Sequence, residues 1–388
     1  MPAPPEVTRD SAIGNWPWRE GNQFRLLEAT EQYFERMIQA IDDAQSYILL
    51  EMYLVESGTV ANWFIDAFVR AAQRGISVRL VLDGFGSLGL VQTDRRRLVD
   101  AGVQLRVYNV VHLRKRLHNF LRDHRKLMLI DGEVAFVGGI GLTDEFGLTG
   151  QPGWPWRDLV VEIRGPVVCD WQQAFGRTWL RSGGEATLLP PPVDPLPREG
   201  ARGRVVLSEA WYRSDLANAV ARRITGANRR VWIMSAYFVP SRRFRKALRR
   251  AARRGVDVRL VVPGPLTDHP WVRHAARRFY GKLLRNGVRI FEFQSRVLHG
   301  KMSICDEWVS VGSSNLDRWS FKWNLEANQE IADSAFSEVA AAVFEKDCGR
   351  SLELDRRRWA RRAWADRLQE RLAGTLDRWL DRWRRPHP

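Results

Sequence analysis

The stretch His124-Arg-Lys126-Leu-Met-Leu-Ile-Asp131 has a counterpart in the second half of the chain, His299-Gly-Lys301-Met-Ser-Ile-Cys-Asp306. Both stretches follow the pattern His-x-Lys-x4-Asp, and both run on into a cluster of small residues. The chain has only seven His, and only seven of its 61 basic residues are Lys. Two chance matches with similar flanks would be far rarer than one, so the repeat indicates a single active site built from two halves.

The similarity between the two halves extends beyond these motifs. Residues 72–82, Ala-Gln-Arg-Gly-Ile-Ser-Val-Arg-Leu-Val-Leu, match residues 252–262, Ala-Arg-Arg-Gly-Val-Asp-Val-Arg-Leu-Val-Val, in a pattern that predicts a helix end, a Gly stop and a buried strand. Residues 47–53 and 231–237 align as the first core strand of each half. In both halves the predicted order is helix, strand, helix, strand, helix, strand, then the strand of the motif. Strands that are apolar on both faces and alternate with helices predict an α/β fold whose sheet is covered on both sides.

The chain divides at a Pro-rich segment. Residues 183–204 contain Pro190, Pro191, Pro192, Pro195 and Pro197 and no apolar period, which indicates a linker. We therefore expect an N-terminal extension over residues 1–24, a first half over 25–182, the linker over 183–204, a second half over 205–350 and a C-terminal tail over 351–388.

The residue types of the motif suit cleavage of a phosphodiester, whose negative charge repels nucleophiles. A neutral imidazole can attack phosphorus to form a phosphohistidine, while a protonated imidazole donates to the departing alcohol. Lys126 and Lys301 would hold the non-bridging oxygens, so no metal or cofactor is required. Residues two apart on a strand face the same side, and the His and Lys of each motif are expected to point into one pocket.

The aspartates of the motif are less easily placed. As members of the repeat, Asp131 and Asp306 belong to the candidate catalytic set. Each lies five residues after its Lys, on the opposite parity of the strand, and this spacing predicts a role in shaping the hairpin turn.

At these residues the sequence resembles the phospholipase D superfamily, which is marked by a duplicated His-x-Lys-x4-Asp motif followed by a small-residue cluster and Asn. Within it, the sequence is most similar to bacterial cardiolipin synthases of the short subgroup that lacks N-terminal spanning helices. The segments that carry the resemblance are Gly138-Gly-Ile140, Trp156-Arg-Asp158, Gly165-Pro166, Ser235-Ala-Tyr-Phe-Val-Pro240, Gly312-Ser-Ser-Asn-Leu-Asp317 and Asn324-Leu-Glu326. The resemblance covers about residues 25 to 345. It implies two homologous α/β/α sandwich halves with mixed sheets that form one active site at their interface.

The resemblance also implies roles for the site residues. His124 would be the nucleophile and His299 the general acid and base. A carboxylate downstream of each motif would orient its His, and the matching positions are Asp158 and Glu326. Such a partner fixes the tautomer of the imidazole and stabilises the imidazolium.

The phosphate would be bound by the two Lys together with Ser313 and Asn315. This chain departs from the family pattern at Gly141, where the family often has Asn, so the first half-site is expected to have one fewer side-chain donor. The interval between Asp306 and Gly312 is one residue shorter than that between Asp131 and Gly138. We therefore expect a tighter turn, which leaves the register around Ser313 open.

The formal charge of +16 implies an anionic partner, which could be nucleic acid, an acidic membrane or a phosphate-bearing substrate. The resemblance favours a cardiolipin synthase that transfers a phosphatidyl group between two phosphatidylglycerol molecules at an anionic membrane surface. A lipid hydrolase is the alternative. A nuclease is supported by the charge and by the Arg-rich tail, but no nucleic-acid-binding module is recognisable.

Two loops near the first motif fit this lipid hypothesis. The apolar residues Phe85, Leu88 and Leu90 could admit acyl chains, and the basic segment from Arg114 to Arg122 could meet anionic headgroups. The duplication already supplies both half-sites in one chain, so no oligomeric state is predicted.

The C-terminal tail has a different character. Residues 356–385 are rich in Arg, and one helical face would carry Trp364, Leu368, Leu372, Leu376, Leu380 and Trp383. A basic amphipathic helix suits a membrane interface, and packing against the protein body is the alternative.

No apolar run reaches the roughly 18 to 20 residues that cross a bilayer, and the three Cys show no paired spacing. We expect a peripheral protein on the cytoplasmic side of the bacterial inner membrane.

Overall fold

Strands and helices alternate along the computed structural model, which describes residues 16–148, 150–151, 153–186, 199–209, 215–317 and 323–362. The strands are β1 (Arg19–Leu27), β2 (Tyr47–Met52), β3 (Ser77–Asp83), β4 (Gln104–Tyr108), β5 (Arg122–Asp123), β6 (Lys126–Ile130), β7 (Val134–Gly138), β8 (Val160–Arg164), β9 (Ala201–Glu209), β10 (Arg230–Met234), β11 (Asp257–Pro263), β12 (Arg289–Phe293), β13 (Met302–Cys305), β14 (Trp308–Gly312), β15 (Asn324–Ala332) and β16 (Ser351–Glu353). The helices are α1 (Thr30–Asp43), α2 (Thr59–Gln73), α3 (Gln92–Asp100), α4 (Asp144–Gly147), α5 (Val167–Arg181), α6 (Asp215–Gly226), α7 (Arg242–Arg253), α8 (Pro270–Leu284), α9 (Ser334–Gly349) and α10 (Arg356–Ala360), and a 3₁₀ helix spans Leu113–Phe120.

The sheet repeats its own strand order. The first half runs β4-β3-β2-β6-β7-β8-β1, and the second runs β12-β11-β10-β13-β14-β15-β9 with β16 outside β12. In each half three strands are parallel, β2-β3-β4 or β10-β11-β12, and the strands that follow are antiparallel. An antiparallel pairing of β1 with β9 joins the halves into a 16-stranded sheet. The α/β class with mixed sheets is therefore confirmed, and the internal duplication appears strand by strand.

Apolar side chains form three large cores. The outer sheet face of the first half packs on α1 and α2 through residues such as Ile48 and Phe64, and that of the second half packs on α6, α7 and α8. The inner faces of both halves share one core with α5 and α9, in which Trp171, Trp179 and Phe344 are buried. Burying an aromatic side chain of this size contributes about 2–3 kcal/mol, so this shared core strongly stabilises the association of the halves.

The aligned glycines show why both halves fold alike locally. Gly75 and Gly255 follow α2 and α7 with φ of +84° and +90°, a left-handed conformation that ends a helix at little cost only for Gly. Each N–H donates to the carbonyl three residues earlier, and the chain then enters the parallel strand β3 or β11.

Several strands of each half were not predicted from the sequence, among them β1 and β8 in the first half and β9 and β15 in the second. The predicted order of helices and strands is present, but β1 and β9 precede it and lie across the boundaries that we placed at residues 24/25 and 204/205. The central part of the Pro-rich linker lies outside the described residues. None of the helices in the described segments is both long and apolar enough to cross a membrane.

Most of the predicted amphipathic tail also lies outside the described residues, which end at 362. Its first part forms α10, where Trp359 is buried against Tyr280 at 5.6 Å between ring centroids. Arg277 lies over the same indole ring. At Trp359, therefore, the chain packs against the protein body.

Candidate active site

Each motif histidine is held by the other half of the protein. The backbone N–H of His124 donates to the carbonyl of Leu325 over 3.0 Å, next to the parallel pairing of β5 with β15. In the same way, the N–H of His299 donates to the carbonyl of Arg157 over 2.8 Å, next to an isolated parallel bridge between Arg157 and Leu298. The two histidines are therefore positioned by symmetry-related contacts across the interface.

Because of these backbone contacts, each histidine is paired with a carboxylate from the other half. Nδ1 of His124 lies 3.1 Å from Oε2 of Glu326, and Nδ1 of His299 lies 2.6 Å from Oδ2 of Asp158. Both carboxylates are buried. The expectation that each carboxylate orients the His of its own motif was wrong. The backbone acceptors are Leu325 for His124 and Arg157 for His299. The residue after each acceptor, Glu326 or Asp158, therefore reaches the His of the opposite half. A carboxylate at Nδ1 leaves Nε2 of each ring to react.

The motif lysines lie beside their histidines, as the strand parity predicted. Nζ of Lys126 donates to the carbonyl of His124 over 2.6 Å, and Nζ of Lys301 lies 2.8 Å and 3.2 Å from Nδ1 and Nε2 of His299. Arg125, between His124 and Lys126 in sequence, points the other way and contacts the buried Glu51 at 3.4 Å. Both ammonium groups are buried, where they can contact a bound anion without intervening solvent.

Asn315 places an amide donor that has no partner in the described structure. Its Oδ1 accepts from the backbone N–H of Tyr237 over 3.1 Å, whereas Nδ2 is buried and has no hydrogen-bond partner among the described residues. A buried donor without a partner costs about 1–3 kcal/mol, which a phosphate oxygen would offset. Gly141, at the matching position of the first half, supplies no such group.

The hairpin turn that precedes Ser313 is shorter than its counterpart in the first half. Cys305 pairs with Trp308 across two residues, whereas Ile130 pairs with Val134 across three, so the predicted tighter turn is confirmed. Oγ of Ser313 donates to Oε2 of Glu326 over 2.5 Å. In this structure Ser313 therefore orients the carboxylate that holds His124.

Asp131 and Asp306 do not join these residues. Each lies in the hairpin turn at the far end of its motif strand, in the left-handed region with φ of +55° and +54°. The carboxylate of Asp131 accepts from the backbone N–H groups of Gln45, Ser46 and Tyr47 at 2.8 Å each. Asp306 accepts in the same way from residues 228–230 at 2.9 to 3.1 Å. Their inclusion among the catalytic residues is corrected, because both anchor the chain that enters β2 or β10.

Aromatic rings enclose the histidines, and the sequence analysis assigned them no role. The ring of Tyr53 lies 4.8 Å from that of His124, with Nζ of Lys126 5.0 Å from its centre. Around His299 the rings of Phe146, Trp156 and Tyr237 lie at 5.2, 5.5 and 6.4 Å. The alignment of Tyr53 with Tyr237 was the available signal, since a repeated polar aromatic at the end of a core strand indicates a shared position at the site.

Burial controls the protonation of the site. It lowers the pKa of His299 to about 4, with the charge of Lys301 acting in the same direction and Asp158 against it. Burial also lowers the pKa of His124 and takes that of Lys126 to about 7. For Asp158, burial acts to raise the pKa, but Lys301 and His299 outweigh it and the pKa is lowered. Both imidazoles are therefore neutral at pH 7 in this structure, and Asp158 is ionised.

The two clusters act on each other and form one site. The charge of Lys301 lowers the pKa of His124, and that of Asp158 raises the pKa of Lys126. The site thus presents two reactive Nε2 atoms, two buried cations and an unpartnered amide donor to a common space. This arrangement can form and break a phosphoramidate bond while donating a proton to an alcohol.

Of the two loops that we associated with lipid, the apolar one lies beside the first histidine. Its Gly86 approaches the backbone of Tyr53 so closely that an added Cβ would lie 2.1 Å from the carbonyl oxygen. Phe85 and Leu88 are 55% and 66% exposed, but Leu90 is buried in the outer core and cannot contact acyl chains. Arg122, the end of the predicted basic segment, is also buried and lies 3.3 Å from Asp83.

Known proteins match this fold and this pattern of residues. The model of the family described as cardiolipin synthase, phospholipase D-like domain, matches residues 37–146 and 220–348. Cardiolipin synthase B of Escherichia coli strain K12 is 36% identical over an alignment of 368 residues, and the match covers 88% of this chain and 86% of that protein. Cardiolipin synthase A of Pseudomonas aeruginosa strain LESB58 is 35% identical over an alignment of 352 residues, and the match covers 89% of this chain and 70% of that protein.

Solved structures agree at the level of the fold. The crystal structure of phosphatidylserine synthase from Haemophilus influenzae Rd KW20 superposes with a TM-score of 0.70 at 12% identity and covers 92% of this chain and 93% of that one. The duplicated motif, the repeated sheet and the extent of the sequence match lead to one assignment. The chain belongs to the cardiolipin synthase family of phospholipase D-like proteins.

Proposed function

We propose that this protein is a cardiolipin synthase that transfers a phosphatidyl group from one phosphatidylglycerol to a second and releases glycerol. The observation that carries the proposal is the crossed pair of His–carboxylate couples, each with a buried Lys beside it. Two such couples supply a nucleophile and an acid without a further group. The relatives named cardiolipin synthase direct the choice of substrate toward phospholipids.

In the first step, Nε2 of His124 attacks phosphorus and the bond from phosphorus to the glycerol oxygen breaks. The departing oxygen takes its proton from Nε2 of His299, and the phosphatidyl group remains on His124 as a phosphohistidine. Lys126, Lys301 and Nδ2 of Asn315 stabilise the charge on the non-bridging oxygens as it increases.

In the second step, the same groups act in reverse. His299, now neutral, takes the proton from a primary hydroxyl of the second phosphatidylglycerol, whose oxygen attacks phosphorus. The phosphorus–nitrogen bond to His124 breaks and cardiolipin leaves.

The substrate itself prepares His299 for its role as an acid. His299 has a pKa of about 4 and is neutral at pH 7, because burial and the nearby Lys301 disfavour its charge. An anionic phosphodiester bound to Lys301 offsets that positive charge and so raises the pKa of His299. His124 stays neutral, as a nucleophile must, because Lys301 has less influence on its pKa than burial, Glu326 and Lys126 do.

The surface beside the site suits a lipid bilayer. Phe85 and Leu88 are largely exposed on the loop that packs against Tyr53, next to His124. The formal charge of +16 would attract anionic phospholipids. We infer that the protein is peripheral and lies on the cytoplasmic side of the bacterial inner membrane, where Cys169, Cys305 and Cys348, which form no disulfide, would remain reduced.

The test is to incubate the purified full chain with phosphatidylglycerol vesicles, without added metal, and to follow the lipids by mass spectrometry. The wild type should form cardiolipin and free glycerol, and His124→Ala should form neither while still binding the vesicles. His112→Ala, a change at an exposed His away from the motifs, is the matched control and should retain turnover.

The other outcomes reassign the function. Phosphatidic acid in place of cardiolipin would identify a lipid hydrolase. Cleavage of a nucleic acid with no lipid turnover would identify a nuclease and exclude the lipid proposal.

A further inference from the structure

The two half-sites differ in the loop that follows the parallel strand β3 or β11. Residues 84–90 of the first half, Gly-Phe-Gly-Ser-Leu-Gly-Leu, present exposed Phe85 and Leu88. The aligned residues 264–270 of the second half, Gly-Pro-Leu-Thr-Asp-His-Pro, place Asp268 and His269 in the corresponding loop. An apolar loop thus lies beside His124, and a polar loop lies on the side of His299.

Tyr237 connects the polar loop to Asn315, one of the proposed phosphate-binding residues. Its backbone N–H donates to Oδ1 of Asn315, its ring lies 6.4 Å from that of His299, and its hydroxyl donates to Oδ2 of Asp268. The ring of His269 lies 5.4 Å from that of Tyr237, and Nε2 of His269 is 3.7 Å from Oδ2 of Asp268. Asp268 is therefore linked to Asn315 by way of Tyr237.

Asp268 retains capacity to accept hydrogen bonds. Its side chain is 16% exposed, so it is accessible from the outside. Oδ1 has a single contact among the described residues, a long one of 3.4 Å to Oγ1 of Thr267. No Lys or Arg of the described segments forms an ion pair with this carboxylate. Its negative charge does act on the site, because it raises the pKa of both His299 and Lys301.

We propose that Asp268, oriented by the hydroxyl of Tyr237, is a binding site for the polyol of the headgroup, and that it accepts hydrogen bonds from neighbouring hydroxyls of glycerol. The inference rests on the proposed function, in which His299 exchanges a proton with the departing and then the incoming alcohol. That alcohol must therefore lie on the His299 side, where Asp268 is found. An ionised carboxylate accepts two hydroxyls at once, which selects a vicinal diol over an alcohol with one hydroxyl.

The same placement explains the different chemistry of the two loops. The diacylglycerol part stays attached to phosphorus on His124 and is matched by the apolar loop beside that residue. The glycerol part leaves and re-enters on the opposite side of phosphorus and is matched by the polar loop. Tyr237 separates this carboxylate from Asn315, since it donates to Asn315 through its backbone N–H and to Asp268 through its hydroxyl.

The experiment measures how the enzyme divides one donor between two acceptors. The full chain is given phosphatidylglycerol vesicles with equal concentrations of deuterated glycerol and 1-propanol, and the labelled phosphatidylglycerol and the phosphatidylpropanol are measured by mass spectrometry. For Asp268→Asn we expect the ratio of glycerol product to propanol product to fall about 10- to 100-fold, the range for a lost hydrogen bond to a charged group. Continued transfer to 1-propanol shows that the variant is folded.

Two further variants separate recognition from positioning. Tyr237→Phe keeps the ring beside His299 but removes the hydroxyl that orients Asp268, and we expect a smaller fall of the ratio in the same direction. Glu338→Gln removes an exposed carboxylate of the second half, 66% exposed, and should leave the ratio unchanged. A ratio that Asp268→Asn does not alter would overturn the polyol site.

A fall of both products by the same factor in Asp268→Asn would likewise overturn the polyol site. Asp268 would then affect the rate of transfer through Tyr237 and His299, and not the choice of alcohol. A wild type that transfers to neither alcohol and forms no cardiolipin would instead reject the proposed function itself. The two failures are therefore distinguishable.

Discussion

The two histidines have similar surroundings but need opposite protonation in the first step. Burial lowers the pKa of both, and that of His299 falls to about 4 because Lys301 lies against its ring. The assignment of His124 as nucleophile follows the family pattern, and the structure supplies the means by which a bound anion would charge His299. The roles of nucleophile and acid can be separated with a substrate whose leaving group departs without being protonated.

We predict that His299→Ala lowers turnover of phosphatidylglycerol by about 10² to 10⁴-fold, the usual contribution of general acid–base catalysis. With a p-nitrophenyl phosphatidyl ester, the same variant should release about one equivalent of nitrophenolate in a burst and then stop. The first step needs no proton donor with this substrate, whereas the second still needs a base. Intact mass spectrometry should find the phosphatidyl adduct on His124, and a burst without an adduct would contradict the assignment.

Lys126 introduces a pH dependence of substrate binding. Burial lowers its pKa to about 7, with Glu326 acting against the shift and Lys301 reinforcing it. The ammonium is charged below that pH and loses its charge above it, so affinity for the anionic phosphate falls as pH rises. A bound phosphate raises the pKa again, which confines the effect to the free enzyme.

We therefore predict that kcat/KM declines above about pH 7, while kcat declines only at higher pH. Lys126→Arg should remove this limb of the kcat/KM profile, because a guanidinium stays charged throughout. Lys282→Arg, an exposed change of the same kind, serves as the control. A limb near pH 7 that persists in Lys126→Arg would assign the ionisation to another group.

At the scale of the element, the aspartates of the motif act on the hairpins rather than on the substrate. Asp131 binds three successive N–H groups at the entry to β2, and Asp306 does the same at the entry to β10. Both hold a left-handed conformation that Asp tolerates better than most residues. The motif thus combines two chemical residues at the start of a strand with one structural residue in the turn that follows it.

We predict that Asp131→Ala lowers the free energy of unfolding by about 2–4 kcal/mol, through lost hydrogen bonds and a strained turn residue. The kcat of the folded variant should remain within about a factor of two. Urea titration and lipid turnover measure the two quantities separately. Glu133→Ala, an exposed change in the same turn, should affect neither. A large fall in kcat with unchanged stability would return Asp131 to the catalytic set.

At the scale of the whole molecule, a buried ion pair links the interface to the catalytic site. Arg157 of the first half donates to Asp347 of α9 over 2.8 to 3.1 Å, and both side chains are at most 1% exposed. The carbonyl of the same Arg157 accepts the N–H groups of His299 and Gly300. A disturbance of the interface is therefore transmitted directly to the backbone that places His299.

We predict that Asp347→Ala destabilises the protein by about 3–5 kcal/mol, because it removes the nearer counter-charge of the buried Arg157 guanidinium and leaves it the more exposed Glu28 at 3.5 Å. Turnover per folded molecule should fall with it. Replacing both residues by Leu should recover much of the stability, and Glu345→Ala, at an exposed neighbouring position, should have little effect. Thermal unfolding and lipid turnover report both effects. A double variant no more stable than Asp347→Ala would show that shape rather than charge governs this part of the interface.

The repeat in the sequence was sufficient for the α/β class and for the order of helices and strands up to each motif, because apolar periodicity and Gly stops are local signals. It also selected the histidines and lysines, whereas Asn315 and the two carboxylates came from the resemblance to the phospholipase D superfamily. The first strand of each half was not predicted, because β1 and β9 are stabilised by pairing with each other and with β8 and β15, far away in sequence.

Only the tertiary structure decided which carboxylate holds which histidine. His124 and Glu326 are 202 residues apart, and His299 and Asp158 are 141 apart. No local signal distinguishes the crossed pairing from the uncrossed one. It follows from the contacts of β5 with β15 and of Leu298 with Arg157, which form when the inner faces of both halves bury their common core. The sequence by itself determined the chemistry of each half-site, and the packing of the halves determined how the two are combined into one.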